Sequence, residues 1–211
     1  MVEQELAPIG ELQEADGTGA VRHARSSLPS TRLLSALPIG AGSKVLILGG
    51  PGSGKTTLGI QIAQAINGPF HELDFVGYEA GSGVERSLED RLRDVAIIAS
   101  QVRWVAEGSY IDWTAALAEA ADGIILLDPP WRVARYRIVV RHAKASLRRS
   151  NKHPGLKRLW RFVQDCKGYY TGPNARRLQT EAWVEGFADK LVTCRTNRDV
   201  ERLVASIRSR A

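Results

Sequence analysis

Gly49-Gly50-Pro51-Gly52-Ser53-Gly54-Lys55-Thr56 is the most constrained run in this chain of 211 residues. It satisfies G-x-x-x-x-G-K-[ST] at every fixed position. Just before it, Lys44–Gly49 (KVLILG) is a short β-branched and leucine-rich run that stops at glycine, the pattern of a buried strand. Just after it, Lys55–Asn67 reads as a helix whose apolar positions are Leu58, Ile60, Ile62, Ala63 and Ile66. A strand that passes through glycines into a helix turns its backbone N–H groups inward, and the positive end of the helix faces the same point. Such a turn is an anion site, and its spacing fits a polyphosphate.

Working outward, the apolar runs predict strands at Phe70–Phe75, Val102–Glu107, Gly123–Leu127 and Leu191–Cys194. Helical patterns fall at Val84–Ser100, Asp112–Ala121, Arg132–Ser150, Leu156–Asp165, Arg176–Ala188 and Val200–Arg208. Five short apolar strands with helical connections form a parallel sheet covered on both faces, and right-handed crossovers make it a doubly wound α/β sandwich. Residues 1–43 are rich in Gly, Ala, Ser, Pro and Glu with weak periodicity. They read as an irregular N-terminal extension, with one short helix near Ser30–Ala36, ahead of a domain spanning 44–211.

The composition, 44% hydrophobic and 25% charged, excludes a mainly disordered, collagen-like or coiled-coil chain. No apolar run approaches the roughly 18–20 residues that span a bilayer, and the acidic N-terminus lacks the features of a signal peptide. Two cysteines, Cys166 and Cys194, and four scattered histidines form no disulfide framework or zinc spacing. These features predict a cytoplasmic protein with no membrane partner. Net charge is +6, yet Trp131–Arg177 holds 14 Lys/Arg against one acid, Asp165, and so carries +13; the remainder carries −7. A basic block on an acidic body fits a local anion site, and nucleic acid is a second partner it could serve.

In the glycine turn, Gly50, Pro51, Gly52, Ser53 and Gly54 would wrap the phosphates of ATP. Lys55 would reach the β- and γ-phosphates, Thr56 would ligate Mg²⁺, and Thr57 would lie beside the α-phosphate. Two acids end apolar runs, Glu107 and Asp128, and either suits the carboxylate that orients Mg²⁺-bound water. Asp74 is placed to accept a proton from a substrate hydroxyl, and on strand alternation Glu72 would share its face. Arg137, Arg141, Lys144 and Arg148 form one helical stripe beside an apolar stripe of Val133, Tyr136, Val140, Ala143 and Leu147. Arginines on that stripe can stabilise charge in phosphoryl transfer. Lys157, Arg158, Arg161 and Lys167 interleave with Trp160, Phe162, Tyr169 and Tyr170. That mixture suits a lid helix with Leu156, Trp160 and Val163 inward, or a single-stranded nucleic-acid surface.

Three further runs carry a resemblance: Glu72-Leu73-Asp74, Trp104-Val105-Ala106-Glu107-Gly108-Ser109-Tyr110, and Leu127-Asp128-Pro129-Pro130-Trp131 followed by Arg137-Ile138-Val139-Val140-Arg141. With the glycine turn, they make residues 44–205 resemble the adenylate kinase-like (nucleoside monophosphate kinase) family, and within it the small group of DNA topology modulation proteins. The resemblance implies a P-loop kinase with a short basic lid over about 131–177. It implies Arg137 on the nucleotide base, Arg141 and Lys55 on the transferring phosphate, and Asp74, Glu107 and Tyr110 near the acceptor. Glu107 stands where that family usually has Asp, Ser109 where it has Asn, and no Arg follows Tyr110. The function expected is transfer of the ATP γ-phosphate to a nucleoside, nucleotide or similar small acceptor. Alternatives are a nucleic-acid-associated kinase or ATPase, and a nucleotide-bound regulatory module.

Overall fold

The computed structural model describes residues 39–147, 155–173 and 175–210. The expected helix near Ser30–Ala36, Arg148 and most of the expected extension lie outside the described residues. Among the described residues, five strands form one parallel sheet in the order β2-β3-β1-β4-β5. They are β1 (Lys44–Gly49), β2 (Phe70–Glu72), β3 (Trp104–Gly108), β4 (Gly123–Leu127) and β5 (Leu191–Cys194). The helices are α1 (Lys55–Ile66), α2 (Leu73–Gly77), α3 (Leu88–Ser100), α4 (Ala115–Ala120), α5 (Trp131–Leu147), α6 (Leu156–Tyr170), α7 (Arg176–Glu185) and α8 (Asn197–Arg208). This is the doubly wound α/β fold that the strand–glycine–helix pattern implies. No helix among the described residues is long and apolar enough to cross a membrane.

Central β1 shows why its sequence is apolar without alternation. Val45 and Ile47 face one layer, packing with Leu58, Ile62 and Ile66 of α1 and Leu203, Val204 and Ile207 of α8. Leu46 and Leu48 face the other, with Val95 and Ile98 of α3 and Leu117 and Ala118 of α4. Side chains of a strand alternate between faces, and here both faces are covered. Ile39 already belongs to the first layer, within the stretch read as extension.

β1 is paired on one side to β3, Leu48 opposite Gly108, and on the other to β4, Gly49 opposite Leu127. The ends of β1, β3 and β4 therefore meet where the chain order reverses, the usual ligand position in such sheets.

Three elements differ from the sequence reading. The second strand stops at Glu72, and Leu73–Gly77 turns into a helix that buries Leu73, Val76 and Gly77. That spacing is helical, so Glu72 and Asp74 no longer share a strand face. In α5 the buried positions are Ala134 and Ile138, while Tyr136 and Leu147 of the expected stripe are exposed. In α6 the buried positions are Cys166 and Tyr170, and Leu156 and Trp160 point outward, 81% and 67% exposed. The helix faces that meet the glycine turn, Ala134 with Ile138 and Cys166 with Tyr170, are rotated away from both expected stripes.

Candidate active site

The turn from β1 to α1 uses left-handed backbone at Gly52 (φ 76°) and Gly54 (φ 105°), a region that side chains with a Cβ rarely adopt. Gly50 is needed for another reason: a Cβ there would come within 2.4 Å of the Tyr169 ring. The C-terminal end of α6 therefore lies directly on the turn, and the Tyr170 hydroxyl donates to the Pro51 carbonyl at 2.9 Å. Arg137 of α5 donates to the Ser53 carbonyl (2.6 Å) and to the Asn197 side chain (2.5 Å), tying the turn to the first residue of α8.

Below the turn, the first residues of α1 meet the end of β3. The Thr56 hydroxyl donates to Glu107 Oε1 at 2.7 Å, and Lys55 Nζ lies 3.9 Å from Glu107 Oε2. Lys55 also donates to the Gly50 carbonyl at 3.3 Å. Burial pushes the Lys55 ammonium below its ordinary range and the Glu107 carboxyl above its own; their mutual attraction opposes both shifts. A polyphosphate against Lys55 would raise its affinity for a proton, so the pair is arranged for an incoming anion. The Ser109 hydroxyl donates to the Gly49 carbonyl at 2.6 Å, pinning the chain after β3 to the turn.

Asp128, the other candidate for the Mg²⁺-side acid, is directed elsewhere. Its Oδ1 accepts from Arg177 Nε at 2.5 Å, and its Oδ2 accepts from Arg177 at 3.0 Å and Arg195 at 3.2 Å. Glu181 closes the cluster on Arg177 at 3.0 Å. Of the two acids, the geometry brings Glu107 to the turn and locks Asp128 into an arginine clamp. The proline pair after Asp128 gave no sign of this, because Arg177 and Arg195 are distant in sequence.

A cavity of about 980 Å³ opens over the turn. Pro51, Gly52, Ser53, Gly54, Lys55, Thr56, Thr57, Arg137, Arg141, Asp74, Glu107 and Tyr110 all line it, whereas Gly50 and Asp128 do not. Asp74 enters from α2, and its Oδ1 accepts a 2.7 Å bond from the Tyr110 hydroxyl. Burial and that carboxylate push the Tyr110 phenol up, so it stays a donor. Its ring stacks at 4.8 Å on Trp113. Several lining residues escaped the sequence reading, Gln61, Asn197 and Glu201, while Phe162 of the basic–aromatic segment also lines the cavity. Asn197 had a detectable signal, since Thr196 and Asp199 form a capping box that starts α8 at Asn197, three residues before the expected Val200. Gln61 had none beyond its helix.

A hydroxyl, a carboxylate and an ammonium over a glycine turn fit a Mg·ATP tail. Magnesium needs few protein ligands, because phosphates and waters complete its shell. Among the described residues no cluster of three or more His, Cys, Asp or Glu could hold a metal alone, so the set is not that of a dedicated metal cage.

No protein-family model matches the chain, and no curated protein does. Similar solved structures include a gluconokinase from Sinorhizobium meliloti 1021, 18% identical, covering 78% of this chain and 91% of that one at a TM-score of 0.49. A shikimate kinase from Bacteroides thetaiotaomicron is 17% identical over 76% of this chain and 93% of its own, TM-score 0.44. A sugar kinase from Janibacter sp. HTCC2649 is 17% identical over 76% and 89%, TM-score 0.41. At that distance, function rests on the geometry of the site.

Proposed function

We propose that the chain is an ATP-dependent phosphotransferase for a small hydroxyl-bearing acceptor. One observation carries the reading: Lys55, Thr56 and Glu107 converge beneath the glycine turn while Asp74 and Tyr110 face the same cavity. ATP, when bound, supplies the transferable phosphoryl group, with Mg²⁺ neutralising its charge. Thr56 and Glu107 would hold the metal side, Glu107 by orienting water. Lys55 and Arg141 hold the negative charge that spreads over the phosphoryl oxygens. Arg137 and Asn197 frame the nucleoside end.

Tyr110 occupies one oxygen of Asp74, leaving Oδ2 to take the proton of an acceptor hydroxyl. The acceptor side holds Asp74 and Tyr110, with Arg141 as its cation beside Lys55. That balance favours a hydroxyl over the phosphate of a nucleoside monophosphate, which would meet the Asp74 carboxylate with no arginine after Tyr110. Ala134, Arg137 and Ile138 of α5 and the end of α6 lie against the turn, and their closing over bound ATP would keep water from it and protect it from hydrolysis.

Lys55→Ala tests the assignment. Labelled ATP is offered with panels of polyols, nucleosides and nucleotides; the wild-type protein transfers label and the variant falls at least about 100-fold with its fold intact. No heat on titrating Mg·ATP, together with no transfer to any panel member, would overturn the reading.

A further inference from the structure

The outward faces of α5 and α6 are not explained by the phosphate site. These two helices carry nine Lys/Arg against the single acid Asp165. The structure divides the four aromatic residues of α6. Tyr170 is buried and Tyr169 half-buried on the glycine turn, whereas Trp160 and Phe162 are exposed. Leu159, Val163, Cys166 and Tyr170 form the inward side, so helical geometry puts Lys157 and Arg161 one turn apart on the outer side. Trp160 and Phe162 then flank Arg161 to left and right. On α5, Arg132 and Arg135 are exposed beside Tyr136, which is 69% exposed. Phe162 also lines the cavity, so this surface continues to the mouth of the site.

We propose that the outer α5–α6 surface binds single-stranded nucleic acid. The charge selects a polyanion and disfavours a second copy of the same +13 segment. The exposed rings select bases, because a flat aromatic gives a base a stacking partner without reading its sequence. Arg132, Arg135, Lys157 and Arg161 would meet phosphates, and Trp160 would stack a base. This claim is independent of phosphoryl transfer.

The test is fluorescence anisotropy of a labelled dT20 oligonucleotide titrated with the full chain over a salt series. Saturable binding is expected, with log K falling against log salt at a slope of about −2 to −3 for three or four phosphate contacts. Trp160→Ala should weaken binding about 10-fold, and Trp160→Phe should stay within about twofold of wild type. The Lys157→Glu, Arg161→Glu double variant should weaken it further and flatten the slope by one unit or more. All of these side chains are exposed, and unchanged thermal midpoints confirm that the fold is intact. Lys55→Ala should bind dT20 like wild type, so failure of the kinase reading would not mimic failure here. The proposal is overturned by no anisotropy change at low salt, or by Trp160→Ala binding as wild type. It is also overturned if anionic phospholipid vesicles bind the chain while dT20 does not, or if the surface instead drives Trp160-dependent dimerisation.

Discussion

Glu107 and Asp128 sit on opposite sides of β1, one at the end of β3 and the other just past β4. Both follow apolar runs and both are buried, 6% and 7% exposed. Their partners separate them. Glu107 takes one short hydrogen bond from Thr56 and faces an ammonium 3.9 Å away, so it retains lone pairs for further ligands. Asp128 has both oxygens engaged by two guanidiniums, and both of those also reach Glu181, at 3.0 and 3.9 Å. A buried strand-end acid is thus a working group or a fastener according to how many cations reach it. Distant arginines decide which.

Breaking the fastener should have the largest effect. Asp128→Ala leaves Arg177 and Arg195 facing each other with Glu181 as their remaining acid. Asp128 is buried but both guanidiniums are about a third exposed and keep Glu181, so the loss costs about 2 kcal/mol, which lowers the thermal midpoint by about 4–8 °C for a chain of this size. Scanning calorimetry of the variant checks this, and a shift under about 2 °C would show the clamp to be idle. Mg·ATP affinity, measured well below the midpoint, should move less than about threefold, because no Asp128 atom lines the cavity.

The converse holds for Glu107→Gln, which keeps an acceptor for Thr56 and removes only the charge. Transfer should fall about 10–100-fold while the midpoint moves much less than in Asp128→Ala. The pH profile sharpens the assignment. Burial raises the Glu107 carboxyl above its ordinary range, and the proposed role, orienting water on Mg²⁺, needs the ionised form. Activity per free enzyme should therefore rise with pH through a limb above about 4.5, and the Gln variant should lose that limb. A limb at or below the ordinary carboxylate range would remove Glu107 from this role.

Legibility in the sequence followed the same division. The sheet, its five strands and the glycine turn were readable because each depends on residues close in sequence: KVLILG alone implies a strand buried on both faces. Lys55, Thr56, Thr57 and Glu107, read from the same stretches, line one cavity in the structure. The expected second strand runs on to Phe75 because Leu73 and Phe75 alternate like strand residues, whereas the helical burial of Leu73, Val76 and Gly77 depends on Trp113 and Tyr110, far along the chain. The inward faces of α5 and α6 differ from the sequence reading because neither Ala134 with Ile138 nor Cys166 with Tyr170 extends into an apolar stripe along its helix. Their burial follows from how closely both helices approach Gly50 and Gly52, where a Cβ would clash with Tyr169 and the Ala134 carbonyl. Asp128 could not be settled from sequence, since its fate depends on arginines 49 and 67 residues away.

The two cysteines report separately on these regions, and they carry the smallest expected effect. Cys166 lies on α6 with Lys55 and Arg141 close enough to favour its thiolate, and Cys194 ends β5 where its carbonyl accepts from the Asp128 N–H at 2.9 Å. Burial pushes the Cys166 thiol up to about 11 and the Cys194 thiol up to about 12. At pH 8 the thiolate fractions are then on the order of 10⁻³ and 10⁻⁴, against about a quarter for a free cysteine. Alkylation of the folded chain should be at least about 100-fold slower than after unfolding, with Cys166 faster than Cys194 by about 10-fold, as peptide mapping after timed iodoacetamide treatment would show. The same shifts fix a sign for stability. Below about pH 7 both thiols are protonated whether the chain is folded or not; as the pH rises past that of a free thiol, about 8.5, the unfolded chain releases protons that the fold retains, so stability falls from about pH 8 toward pH 11–12. Mg·ATP brings negative charge to Lys55 and should slow Cys166 further while leaving Cys194 unchanged. Equal protection of both would mean that the clamp and the phosphate site move as one body, and the contrast between Glu107 and Asp128 would lose its physical basis.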